Sequence, residues 1–247
     1  MNVSAIKTEK IVPNSVDLST ILNTYVTAFE DKSVLAITSK VVSICEGNVV
    51  KTGTMNKDDL IEQEAEYYLP RSGNKYDVTL TIKRNLLAAS AGIDESNGNG
   101  YYVLWPKDPQ KTANTVREYL CQRFNVVYAG VVITDSRSFP LRWGTTGVAI
   151  AHSGFAALNN YIGHPDIFGR VMQMTKSNVA DALAESAVAV MGEGMEQTPL
   201  AVIRDVGFVQ FQKRNPTQKE IADQHIDIHD DLYASLLTGV TWKTKKR

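Results

Sequence analysis

Val126-Val127-Tyr128-Ala129-Gly130-Val131-Val132-Ile133 runs directly into Thr134-Asp135-Ser136. The apolar run reads as a buried strand, and it delivers a carboxylate to that strand's carboxyl end. Open α/β sheets often place ligand-binding groups there. Arg142 and the small-residue run Gly144-Thr145-Thr146-Gly147 follow closely. An acid, a guanidinium and exposed backbone donors suit a metal–phosphate site, and a polar hairpin loop accounts for the same letters.

Working outward, Val116, Leu120 and Phe124 recur at helical spacing before the run. After it, residues 178–191 form a second long helical pattern, with Val179, Leu183, Ala187 and Val190 on one face and Gly192 as its stop. Residues 200–203 and 208–211 read as strands. Thr217-Gln218-Lys219-Glu220 is a capping box for a last helix.

Toward the N-terminus, Leu18, Ile21, Leu22, Tyr25, Val26 and Phe29 predict a helix behind a Pro13-Asn14-Ser15 turn. Residues 34–38 and 40–44 read as strand, and Glu46-Gly47-Asn48 as a tight turn. Asn56 can cap a helix carrying Leu60, Ile61, Ala65 and Tyr68, with Pro70 ending it. Residues 77–83 alternate: Val78, Leu80 and Ile82 on one face, Asp77, Thr79, Thr81 and Lys83 on the other. Residues 86–91 lead into a loop rich in Gly and Asn, and residues 101–105 form a short strand. Helices and strands alternate, yet a hairpin is implied, so the expected class is mixed α+β rather than a doubly wound sheet. The chain is expected to form one domain over residues 1–247, or two intertwined subdomains.

The 26 basic and 27 acidic residues nearly cancel, leaving a net charge of −1, which argues against a dedicated nucleic-acid or anionic-membrane binder. Cys45 and Cys121 stand far apart outside any metal pattern, as in a reducing compartment. Met1-Asn2-Val3-Ser4 lacks a signal-peptide layout, and the apolar run at 126–133 is under half a membrane span, so a cytoplasmic protein is expected. P-loop, nucleophile-elbow and dinucleotide glycine motifs are missing.

Three further loops carry candidate chemistry. Gly92-Ile93-Asp94-Glu95-Ser96-Asn97-Gly98 offers a carboxylate to a hard cation, although taken alone an Asx turn is the simpler account. Met191-Gly192-Glu193-Gly194-Met195-Glu196-Gln197-Thr198-Pro199 suggests a loop wrapped on a ligand, or a helix cap and turn. In His225-Ile226-Asp227-Ile228-His229-Asp230-Asp231 the histidines would share a helix face, but a solvated helix end is the simpler account. His152 and His164 read as core or surface histidines.

Taken in order, these loops resemble the coenzyme F420-0:L-glutamate ligase family. Ser39-Lys40-Val41-Val42-Ser43 with Glu46-Gly47 looks like its early signature, and Ser90-Ala91-Gly92-Ile93-Asp94-Glu95-Ser96-Asn97 matches its Thr-Ala-Gly-Ile-Asp-x-Ser-Asn motif. Asp135-Ser136, Arg142-Trp143-Gly144 and Val148-Ala149-Ile150 follow in the family's order. So do Asp166, Gly169-Arg170, Val179-Ala180-Asp181, the loop 191–199 and Val202-Ile203-Arg204. The resemblance runs over roughly residues 10 to 205. It implies an F420-0:γ-glutamyl ligase-like fold and amide formation between an acceptor carboxylate and L-glutamate. It further implies GTP or ATP as co-substrate, two divalent cations (Mg²⁺ or Mn²⁺) and a homodimer.

By similarity Asp94 and Asp135 would bind one cation, and Ser136 and Glu193 the other. Val12, Pro13, Asn14, Ser15, Ser39, Lys40, Asn97, Met191, Gly192, Gly194 and Thr198 would face the nucleotide. Asp94, Asp135 and Arg142 would carry the catalysis. The family commonly has Ser-Lys-x-Glu-Gly where this chain has Ser43-Ile44-Cys45-Glu46-Gly47, so Ile44 replaces a phosphate-binding Lys. A strand over residues 40–44 would put Lys40 on the same face to compensate. The acceptor is F420-0 or a folate. A non-catalytic nucleotide- or metabolite-binding protein of the same fold and a metal-dependent phosphohydrolase are the alternatives.

Overall fold

Apolar residues on consecutive positions need cover on both faces of a sheet, and this governs the middle of the chain. The computed structural model describes residues 1–71 and 75–245. Its contacts divide the chain into two compact units. The first comprises residues 1–10, 19–39 and 108–224, the second residues 11–18, 40–107 and 225–247.

The first unit is built on a five-stranded sheet in the order Asn2–Ile6, Leu200–Arg204, Ser33–Thr38, Ala129–Ser138, Thr145–Ser153. Only the central pair is parallel, matching Ser33 with Ala129 through Thr38 with Thr134; the other neighbours are antiparallel. The helix Val179–Met191 lays Leu183, Ala184 and Ala187 into a core with Val34, Ala36, Val132, Ala149, Ala201 and Ile203. Leu35, Ile37, Val131 and Ile133 point to the opposite face by strand alternation and are buried as well. The helix Pro109–Phe124 packs against the two hairpin strands, and Ala113, Val116 and Leu120 are among its buried residues. A Cβ on Gly147 would lie 2.3 Å from the Ala184 carbonyl oxygen, so glycine there lets the helix 179–191 settle against the sheet.

The second unit holds a four-stranded sheet in the order Lys243–Thr244, Tyr67–Tyr68, Leu80–Lys83, Leu86–Ala89, and a two-stranded ribbon of Val49–Lys51 with Tyr101–Val103. Its core gathers Leu60, Ile61, Ala65, Tyr68, Ala91, Ile93 and Leu104. Asn56 accepts from the Asp58 N–H and starts the helix Lys57–Glu64, as expected.

The mixed α+β class holds, as do the predicted helices near residues 18, 116 and 179 and the capping box at Thr217. Several details differ. Residues 40–44 are helix, within Ser39–Cys45, because a short buried run looks alike in either conformation. Lys40 and Ile44 still share a face, now one helical turn apart, but Ile44 is in the core at 4% exposure. The helix after Asn56 stops at Glu64, since the Glu66 N–H bonds to Ile82 and Tyr67–Tyr68 join the sheet. The alternating segment starts as strand only at Leu80, and its polar face is the buried one: Thr79, Thr81 and Lys83 are covered while Leu80 is 39% exposed. Residues 208–211 contribute one isolated bridge, Phe155 to Phe211, rather than a strand, and Val190 is exposed. Asp135 and Ser136 lie inside the strand Ala129–Ser138, which continues three residues beyond Asp135.

Candidate functional site

In the first unit, the parallel register that matches Thr38 with Thr134 brings the next residues of both strands together. Ser39, 3% exposed, opens the helix Ser39–Cys45 and its Oγ donates to Asp135 Oδ1 at 3.2 Å. A register irregularity between Ile133 and Thr134 precedes this pair. Such irregularities re-aim the side chains that follow, and no sequence pattern had marked it.

The neighbouring Ser136 Oγ donates to Glu193 Oε1 at 2.7 Å, and Thr145 Oγ1 donates to the same oxygen at 3.2 Å. Glu193 comes just after the helix ends at Gly192, which has φ +78°. The loop is then closed from within: the Gly194 N–H donates to Glu196 Oε2 at 2.8 Å, and Thr198 Oγ1 donates to the Met191 carbonyl. The Gln197 carbonyl accepts from the Thr8 N–H at 2.8 Å. Backbone and side chains thus hold Glu193 beside two hydroxyls.

Arg142 sits on the exposed turn of the hairpin, where its N–H donates to the Phe139 carbonyl at 3.4 Å. Two residues past Asp135 on the same strand, Arg137 is half-buried. Its NH2 lies 3.2 Å from Asp181 Oδ2, and its guanidinium stacks 4.5 Å from the Phe139 ring centre. Asp181 also accepts from the Ala149 N–H at 2.9 Å, tying the start of the helix to the sheet. Strand alternation from Asp135 would have pointed to Arg137. Asp166 takes the Phe168 and Arg170 N–H groups at 2.9 Å each, which makes that motif a tight turn.

In the second unit, the backbone of Asp94 pairs in both directions with Val103, at 3.0 and 2.7 Å. Its carboxylate meets Lys40 Nζ at 2.6 Å through Oδ2 and the Ser96 N–H at 2.7 Å through Oδ1. Burial pushes this carboxyl upward, but the Lys40 ammonium and the Ser96 donors outweigh it and hold the pKa below the usual range. Asn97 follows with φ +56°. Val12, Pro13, Asn14 and Ser15 form a turn in which the Ser15 N–H and hydroxyl both reach the Val12 carbonyl, at 3.2 and 2.7 Å.

Residues 225–231 are not helical, so His225 and His229 do not share a helix face; the His229 N–H donates to Asp227 Oδ1 at 2.9 Å instead. Among the described residues, no group of three or more His, Cys, Asp or Glu side chains is placed to hold a metal ion alone. The donors at hand are carboxylate, hydroxyl and carbonyl oxygens, one or two acids at a time. That set fits Mg²⁺ or Mn²⁺ completed by water and phosphate oxygens, and does not suit zinc. No helix among the described residues is long and apolar enough to cross a membrane.

The family model for F420-0:gamma-glutamyl ligase matches residues 5–205. The chain is 33% identical over 220 residues to a coenzyme F420:L-glutamate ligase of Methanococcus maripaludis, covering 83% of this chain and 86% of that one. A coenzyme F420:L-glutamate ligase of Methanopyrus kandleri is 34% identical over 193 residues, 71% of this chain and 75% of its own. One of Methanocaldococcus jannaschii is 31% identical over 205 residues, 76% and 81% respectively. With most of its length matched, the chain belongs to the F420-0:gamma-glutamyl ligase family.

Proposed function

We infer that this protein is a ligase that joins the amine of L-glutamate to a carboxylate of F420-0, driven by GTP or ATP and two divalent cations. The observation that carries the reading is the arrangement at the end of the central strands. There Ser39 meets Asp135, and Ser136 and Thr145 meet Glu193, on a rigid sheet and a loop fastened at both ends.

A carboxylate is a poor electrophile. Phosphoryl transfer from the nucleotide turns it into an acyl phosphate and releases the nucleoside diphosphate. The glutamate amine then attacks the acyl carbon, the amide forms, and inorganic phosphate and a proton leave. The protein's work is positioning and charge management. Asp135, Ser136 and Glu193 in the first unit, and Asp94 in the second, are the cation ligands under this reading. A divalent cation bound there would offset phosphate charge. The Ser39 hydroxyl restrains Asp135, and the Ser136 and Thr145 hydroxyls restrain Glu193, so neither carboxylate must reorganise when substrate arrives. Nucleotide-binding roles fall to the loop 191–198 within the first unit and, within the second, to Val12–Ser15, Lys40 and Asn97, each taken by itself.

The protein acts as a homodimer under the same reading. Tyr67, Ile82 and Leu87 stand opposite one another across the four-stranded sheet, beside Leu80, and leave an apolar face exposed. Faces of this kind on a soluble chain mark an interaction site.

The test is incubation with GTP or ATP, Mg²⁺ or Mn²⁺, L-glutamate and either F420-0 or a folate, read by mass spectrometry. Addition of one glutamate residue to F420-0 is the expected result, and no increment on either acceptor overturns the reading. Asp135→Ala should cut turnover by about 100-fold or more while the circular dichroism spectrum is retained. Ile44, buried where the resemblance leads one to expect Lys, favours a second reading: a nucleotide-binding protein without turnover. Calorimetric nucleotide binding without phosphate release in any acceptor's presence would select it.

A further inference from the structure

The first unit holds a cavity of about 490 Å³ at the end of its sheet opposite Asp135. Ser33 lines it and opens the strand Ser33–Thr38, and Ser39, the partner of Asp135, directly follows that strand. Six residues of strand, at about 3.3 Å each, put roughly 20 Å between the cavity and that pair. The volume is that of a small-molecule site. Its frame is fixed by backbone bonds. Asp31 Oδ1 accepts the Val127 and Tyr128 N–H groups at 2.9 and 2.7 Å, and the Lys32 N–H donates to the Tyr128 carbonyl at 2.8 Å. At its rim Lys32 and Asp205 hold φ of +59° and +58°, a conformation that costs a side-chain-bearing residue free energy. The charged groups are underused. Glu30 Oε1 lies 3.3 Å from Arg204 Nε, yet that buried nitrogen makes no hydrogen bond among the described residues. The Lys32 and Lys213 ammonium groups stand 5.7 and 5.5 Å from the Tyr128 ring centre, and among the described residues neither has an ion-pair partner.

We propose that this cavity is a binding site for a free α-amino acid with an apolar side chain. The lining decides the class. A simple anion would meet Glu30 and Asp205, and a simple amine would meet Lys32 and Arg204; a zwitterion satisfies both signs at once. Its two charged groups are bonded to one carbon, and the neighbouring Arg204 and Glu30 offer a donor and an acceptor at matching close quarters. Arg204 and Lys32 take the carboxylate, and Glu30 and Asp205 take the ammonium. Because Arg204 Nε and Glu30 are close without a hydrogen bond, a ligand that separates them gives up little. Val206, Val209 and Phe211 supply the wall for the side chain. The site is distinct from the Asp135 end of the sheet and does not depend on the ligase reading.

The experiment titrates L-phenylalanine into the full-length protein and follows binding by ligand-observed NMR. Saturable binding with a Kd below about 1 mM is expected. Phenylpropionate lacks the amine and phenylethylamine lacks the carboxylate, so each should bind at least about tenfold more weakly. Arg204→Gln should cost a similar factor. Lys32 is exposed, so Lys32→Glu tests the same end of the ligand without touching the core, and it should weaken binding about fivefold or more. Asp135→Ala, at the other end of the sheet, should leave the affinity unchanged. No saturable binding overturns the proposal. So does equal binding of either truncated analogue, which would show adsorption of a ring to an apolar wall. Unchanged affinity in Lys32→Glu, or a loss in Asp135→Ala as large as in Lys32→Glu, overturns it as well, since the ligand would then sit elsewhere. Glutamate ligation bears on the proposed reaction alone and is unaffected by either outcome.

Discussion

The two sheets treat their apolar residues in opposite ways. In the first unit the strands Ser33–Thr38 and Ala129–Ser138 bury both faces, and Val34, Leu35, Val131 and Val132 are all inaccessible. In the second, the strand Leu80–Lys83 turns Thr79, Thr81 and Lys83 inward and leaves Leu80 and, across the sheet, Tyr67 and Leu87 outward. The inward polar groups are all satisfied. Thr81 Oγ1 donates to the Ala88 carbonyl at 2.7 Å and accepts from the Ala91 N–H at 2.9 Å. Lys83 Nζ meets Glu64 at 2.7 Å and lies 5.5 Å from the Trp105 ring centre, and burial pulls its pKa down. Alternation therefore reports that a strand has two different faces. Which face is buried within the chain depends on whether the polar groups find partners there.

Four measurements break or sharpen this contrast. Val132→Asp places a carboxylate between sheet and helix with no partner and should cost more than about 4 kcal/mol, leaving no cooperative melt. A folded Val132→Asp protein would mean that the first sheet is no better sealed than the second. His152, at 1% exposure in the first unit, comes next. Burial lowers its pKa to about 4, opposed in part by Glu220. The unfolded chain thus binds a proton that the folded chain refuses between about pH 6.5 and 4. Stability should fall by about 3 kcal/mol as pH drops through that window and level off below it. His152→Gln should remove that component from urea melts taken across the pH range.

Thr81→Val keeps the shape and strands the Ala91 N–H, and should cost about 1–3 kcal/mol in chemical denaturation. If it is neutral, the inward polar face is not doing the holding. Leu80→Asp, only three positions from a buried lysine, should change subunit stability by no more than about 0.5 kcal/mol. The same change should convert a dimer to monomers in sedimentation velocity. A Leu80→Asp protein that stays dimeric moves the interface off this face.

Much of the first unit was legible because its physics is local. The run at 126–133 supplies a buried strand, although that strand starts only at Ala129 and leaves Val127 52% exposed, and Gly192 stops a helix where a positive φ is needed. The helix over residues 39–45 was hidden because seven residues complete fewer than two turns, too few for a 3.6-residue period to separate from alternation. Tyr67–Tyr68 left the helical pattern because pairing with Thr81 and Ile82 is a long-range gain that no local spacing encodes. In the site, the acidic loops could be named one by one. Their partners could not, since Ser39 reaches Asp135 across 96 residues and Ser136 reaches Glu193 across 57. Arg142 stands close to Asp135 in sequence but on an exposed turn, whereas Arg137, two positions from Asp135, is half-buried beside Asp181 and Phe139.

The single parallel pair also constrains how the molecule assembles. Ser33 pairs with Ala129, and Asn2 with Arg204, so the central contact and the edge contact each wait for distant chain. On a ribosome, the strand Ser33–Thr38 emerges long before either of its sheet neighbours, with both edges unpaired and apolar on both sides. Loop closure over such separations is slow relative to local helix and hairpin formation. The Ser39–Asp135 pair therefore arises only when the sheet itself closes, and a chain interrupted anywhere between them carries neither a finished sheet nor that pair.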